Sequence, residues 1–86
     1  MNTNFQMLRE LLEKYNPKQR GIVSAEEMKL IEETLCIAEM NTIALRNLRD
    51  FTVLFLGKSD KMEDWDKMSA ITSVIDLEIM QKGGEV

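Results

Sequence analysis

A small all-α bundle of three to four helices is the fold this sequence predicts, and three observations predict it. Apolar residues recur at helical spacing along most of the chain. Capping residues stand just ahead of the apolar runs. One proline and four glycines in 86 residues leave little chain for long loops. The helices are expected at about 3–15, 24–40, 42–56 and 60–82, within a single domain covering residues 1–86.

The first helix opens at Thr3. Thr3 with Gln6 fits a capping box, in which each side chain satisfies a free backbone N–H of the first turn. Phe5, Leu8, Leu12 and Tyr15 follow on one face, widened by Met7 and Leu11. Asn16-Pro17 closes it, because a proline disfavours helical geometry in the residue before it.

The second helix carries the clearest start signal. Ser24 caps, Glu27 completes the box, and Val23 and Met28 are spaced as a hydrophobic staple. Glu26 and Glu27 sit where the helix dipole favours negative charge. Met28, Ile31, Leu35 and Ala38 mark the inward face, with Leu30 and Ile37 beside it. No Pro or Gly occurs between Ser24 and Leu56. One helix over 24–56 would be about 50 Å long at 1.5 Å per residue, and would call for a dimer to bury it. A break at Asn41-Thr42 is favoured, since Asn caps well.

The third helix then carries Ile43, Leu45, Leu48, Phe51, Leu54 and Phe55. "FTVLFLG" also has strand-like composition, but a lone strand finds no partner here. Gly57 is placed as a left-handed terminator. Ser59 or Asp60 caps the last helix, whose core residues are Trp65, Met68, Ile71, Ile75 and Ile79, with Val74 and Leu77. Gly83-Gly84 stops it.

Composition narrows the chemistry. The net charge is −4 and the pI about 4.8, so phosphate backbones are poor default partners. No histidine is present, which removes the commonest acid–base group and metal ligand. No Gly-rich phosphate loop and no cysteine pair occurs. Cys36 reads as a small buried hydrophobe, and the methionines as core filling. Neither a secretory leader nor a membrane-length apolar run is seen. A cytoplasmic protein without enzymatic activity and without a cofactor or metal is the expectation.

Two charged features remain. Glu32, Glu33 and Glu39, with Asp60, Glu63, Asp64 and Trp65 in "SDKMEDWD", are the candidate partner-binding residues. Their plainer role is a solvated face and a favourable helix start. Lys14, Lys18, Arg20, Arg46 and Arg49 would be the basic side of a helix-turn-helix regulator of nucleic acid. Arg46 and Asp50 are also spaced for an ordinary ion pair.

The stretch "NPKQRGIVSAEE", counted from Asn16, resembles a calcium loop of the EF-hand type. Gly21, Val23 and Glu27 fall at its sixth, eighth and twelfth positions. That resemblance implies a helix–loop–helix, here in degenerate form, because Lys18 and Arg20 stand where oxygen ligands belong. A capped turn between two helices is preferred. The functional expectation is a small acidic protein acting through protein–protein contacts, as an adaptor, inhibitor or regulator and as a homodimer. Such a profile suits an accessory protein of a bacterium or phage.

Overall fold

A computed structural model describes residues 3–82. It contains four helices: α1 Thr3–Tyr15, α2 Ala25–Ala38, α3 Thr42–Leu56 and α4 Met62–Gln81. The radius of gyration is 12.0 Å, the value of about 12 Å expected for a compact chain of this length. α1 packs on α4, α4 on α3 and α3 on α2. The helices are therefore arranged 1-4-3-2 across the bundle, with α1 and α2 flanking an open side.

The core follows from the apolar spacing. Phe5, Leu8 and Leu12 come from α1, Ile31, Leu35 and Ala38 from α2, Leu45, Leu48 and Leu56 from α3, and Ile71, Ile75 and Ile79 from α4. Thr52 is buried among them, and its hydroxyl donates to the carbonyl of Leu48 at 2.8 Å. A buried Thr is tolerated because its polar hydrogen is used within its own helix.

The chain breaks where the caps predict. Ser24 Oγ accepts from Glu27 N at 3.1 Å, and the Glu27 carboxylate accepts from Ser24 N at 2.8 Å. Val23 is buried and Met28 packs partly buried against the core, as a staple requires. Asn41 caps α3, its side chain accepting from Ile43 N at 2.9 Å. Residues 24–56 thus form two helices, not one, and the pair folds back on itself. Asn16 ends α1 with φ of 50°, its N–H bonded to the Leu12 carbonyl at 2.8 Å. Asn is among the few residues that take this left-handed geometry easily, and Pro17 beyond it cannot continue the helix.

Several expectations are corrected. Thr3 is already helical, and Gly83-Gly84 fall outside the described residues. Gly57 has φ of −73°, a right-handed conformation, so it is no left-handed terminator. Neither Ser59 nor Asp60 caps α4. Lys61 holds that position without a side-chain bond, and Ser59 Oγ accepts from Lys61 N at 3.2 Å. Cys36, Trp65, Ile43 and Leu54 are exposed rather than in the core. Met7, Met40, Met62 and Met80 are exposed as well, while Met68 is buried. "FTVLFLG" is helical through Leu56. Among the described residues, no helix is long and apolar enough to cross a membrane.

Candidate functional site

The densest polar cluster lies where the α1–α2 loop meets the start of α4. Pro17 is buried, and its carbonyl accepts from Ile22 N at 3.0 Å and Val23 N at 3.4 Å, which folds the loop back. Gly21 supplies the positive φ of 76° that the reversal needs. This places Arg20 beside α4, where its guanidinium pairs with Glu63 and with Asp64, the latter at 3.0 Å. Arg20 also lies over the Tyr15 ring, 5.5 Å from its centroid.

Asp64 is 2% exposed. Ser59 Oγ donates to its Oδ2. The Ser59 hydroxyl, above all, holds the Asp64 carboxyl below the usual aspartate range, with help from the Tyr15 hydroxyl and Arg20 and against the effect of burial. Tyr15 moves the other way. Burial, then the negative charge of Asp64, pushes it up to about 12. Trp65 extends the same corner, its Nε1 donating to the Ser59 carbonyl at 2.6 Å. Glu27 is held below its usual range by Lys58, whose ammonium lies 2.8 Å from the carboxylate.

These contacts decide the roles of the loop residues. Glu27, at the last position of the calcium-loop pattern, serves Ser24 and Lys58. Arg20, at its fifth position, neutralises the α4 carboxylates. The chemistry here is that of a joint, in which one loop is clamped to α4 by charge and to α2 by its cap.

A groove of about 510 Å³ runs along the open side between α1 and α2. Leu12, Met28 and Leu35 form its apolar floor, with Cys36, Lys18 and Glu32 at its edge. Arg9 pairs across it with Glu39. A smaller groove of about 350 Å³ lies between α1 and α4, with Leu11, Lys14, Lys67 and Ala70 in its wall. Among the described residues, no three His, Cys, Asp or Glu side chains are placed to hold a metal ion.

The predicted partner-binding residues are not gathered in one place. Glu32 and Glu33 are exposed on α2, Glu39 bridges to Arg9, and Asp60 is exposed in the α3–α4 link. Glu63 is exposed but engaged by Arg20, and Asp64 is buried, out of reach of a partner. Trp65 is 46% exposed. The predicted basic set is also dispersed. Lys14 and Lys18 line different grooves, Arg20 is paired with the α4 carboxylates, and Arg49 pairs with Asp76 at 2.5 Å. The expected Arg46–Asp50 pair does not form, since Arg46 and Asp50 have no ion-pair partner among the described residues. What sequence reasoning missed is the exposed apolar set, because helical spacing assigned Ile43, Leu54 and Trp65 to the core. Compared with family models, with curated proteins and with solved structures, the chain matches none of them.

Proposed function

We propose that this chain is a non-catalytic interaction protein, an adaptor, inhibitor or regulator that works by occupying a partner's surface. One observation carries the reading. Among the described residues, eleven large apolar side chains remain exposed outside a filled core, including Met40 at 91%, Met62 at 76%, Ile43 at 71% and Leu54 at 63%. Single exposed apolar residues are ordinary, but this number on so short a chain favours contact with another macromolecule. The mixed, net acidic charge keeps such a surface in solution until it is covered. Carboxylates neutralise Arg20 and Arg49, which leaves the nucleic-acid reading with less support.

The test is photo-crosslinking in the native host. Benzoylphenylalanine placed at Ile43 or Leu54 should give a discrete adduct, and the same probe at the exposed Glu10 of α1 should not. A monomeric protein that forms no adduct from any of the eleven apolar positions sinks the reading.

A further inference from the structure

We propose that the outer face of α3 pairs with the same face of a second copy of this chain, helix antiparallel to helix. The proposal rests on the interaction reading above and names one partner and the surface it meets.

The face follows from helix geometry. Ala44, Leu45, Leu48, Thr52 and Leu56 are buried and mark the inner side of α3. At about 100° per residue, Ile43 and Asp50 fall almost opposite that side, with Arg46 and Val53 to one flank of them and Leu54 to the other. All five are exposed. The edges of the face are closed within the chain. Arg49 pairs with Asp76 of α4. Lys58, paired with Glu27 of α2, stands over the Phe55 ring, 5.7 Å from its centroid. Of the three charged residues on α3, Arg46 and Asp50 therefore keep no ion pair among the described residues.

The face is complementary to itself. Ile43, Arg46, Asp50 and Val53 are spaced three, four and three residues apart, the repeat of a helix–helix seam. That spacing reads the same in either direction. A second α3 laid antiparallel about a two-fold axis sets Arg46 against Asp50 of the second copy, and Ile43 against Val53 of the second copy. Each contact then recurs across the axis, as a two-fold interface requires. Within one helix, Arg ahead of Asp is the less favourable order for an i,i+4 pair, which agrees with the two charges standing apart. A parallel arrangement sets Arg46 on Arg46 and Asp50 on Asp50, and like charges across an interface oppose it. A partner surface of one charge sign leaves either Arg46 or Asp50 unmatched, whereas a second copy matches both.

The test is sedimentation of the full chain. α3 is about 22 Å long, and a contact between two such helices lies at the small end of interfaces. The dimer is therefore weak and is sought from about 10 μM to 1 mM. Over that range the unaltered protein should pass from the mass of one chain to that of two. Arg46→Asp and Asp50→Arg should each weaken the dimer about tenfold or more, because each sets like charges face to face. Mixed in equal amounts, the two variants should pair with each other, since one face then carries two carboxylates and the other two guanidinium groups. Both sites are exposed, and recovery in the mixture shows that both variants are folded. A protein that stays monomeric throughout overturns the proposal. So does a dimer that neither variant weakens, or a mixture that shows no recovery. Each of these leaves the interaction reading intact, with another partner or another face. That reading falls separately, with the crosslinking result.

Discussion

The Arg20 guanidinium lies 3.0 Å from Oδ1 of Asp64, a carboxylate that is only 2% exposed. One residue belongs to the loop between α1 and α2, the other to the first turn of α4. Their pairing ties the turn to the far end of the chain. The Asp64 charge is stabilised there by Ser59, by Arg20 and by the positive end of α4. Taking a carboxylate out of water costs free energy unless such partners are in place.

Acid should therefore loosen this fold. Asp64 titrates below its ordinary value of 3.8 in the folded chain, and Glu27 below its ordinary 4.5. A carboxyl depressed by folding contributes stability that is present above its unfolded pKa and is lost as pH falls through the folded one. The melting temperature should be flat from neutrality to about pH 5 and should fall below about pH 4. Asp64→Asn should melt lower at pH 7 and show a shallower acid fall, with a remainder owed to Glu27. Thermal melts from pH 2.5 to 7 check this, and an Asn variant that keeps the full acid slope refutes the assignment.

Alkali should act through Tyr15. It is the only tyrosine in the chain, so its phenolate absorbance near 295 nm reports one site. Burial and Asp64 raise it from 10.0 to about 12. A group raised by folding contributes stability that is complete below its unfolded pKa and is lost as pH rises through the folded one. The folded protein should titrate with a midpoint near 12, and the urea-unfolded chain near 10. Stability should decline across that window. Asp64→Asn should lower the folded midpoint, because the facing negative charge is gone. Coincident midpoints in folded and unfolded protein would mean that the phenol is open to solvent.

Local signals made most of the fold legible. Ser24 with Glu27, Asn41, and Asn16-Pro17 set three helix ends because each acts within a few residues of itself. The failures come from longer range. A helix as apolar as α3 offers more hydrophobic positions than one face can bury, and spacing alone could not choose between Leu48, which is buried, and Leu54, which is not. The pairing of Arg20 with Asp64 spans 44 positions and depends on the turn at Gly21, so no local pattern announces it. Cys36 was placed inside by its apolar neighbours, yet it lies on the open α1 side of α2.

The caps can be weighed directly. Asn41→Ala removes the bond to Ile43 N, and Ser24→Ala removes the bond to Glu27 N. Each should cost about 1 kcal/mol in urea unfolding, the usual worth of such a cap. The two sites belong to different helix starts and share no partner, so the double variant should lose about the sum. Asn41→Ala has a second consequence if the turn at residues 39–41 is held mainly by its cap. The chain then straightens into one helix, and sedimentation shows a mass different from that of the parent protein. A variant whose mass in solution and helix content are unchanged from the parent shows instead that packing between α2 and α3 sets the turn.

Gly57 and Gly21 should respond differently to the same replacements. At Gly57 a Cβ would come within 2.4 Å of the Val53 carbonyl oxygen, which already accepts the Gly57 N–H at 3.0 Å. That oxygen cannot retreat without loosening the last turn of α3, so Gly57→Ala should cost about 1–3 kcal/mol, as overpacking usually does. At Gly21 nothing lies within 4 Å of a Cβ, but φ is 76°. Gly21→Ala should cost about 1–2 kcal/mol from backbone geometry alone. Asn separates the two causes, because it accepts left-handed geometry yet still carries a Cβ. Gly21→Asn should recover most of the loss seen with Ala, and Gly57→Asn should recover none. Urea unfolding of the four variants checks this. Recovery at Gly57 would mean that the residue ends α3 in a left-handed conformation in solution.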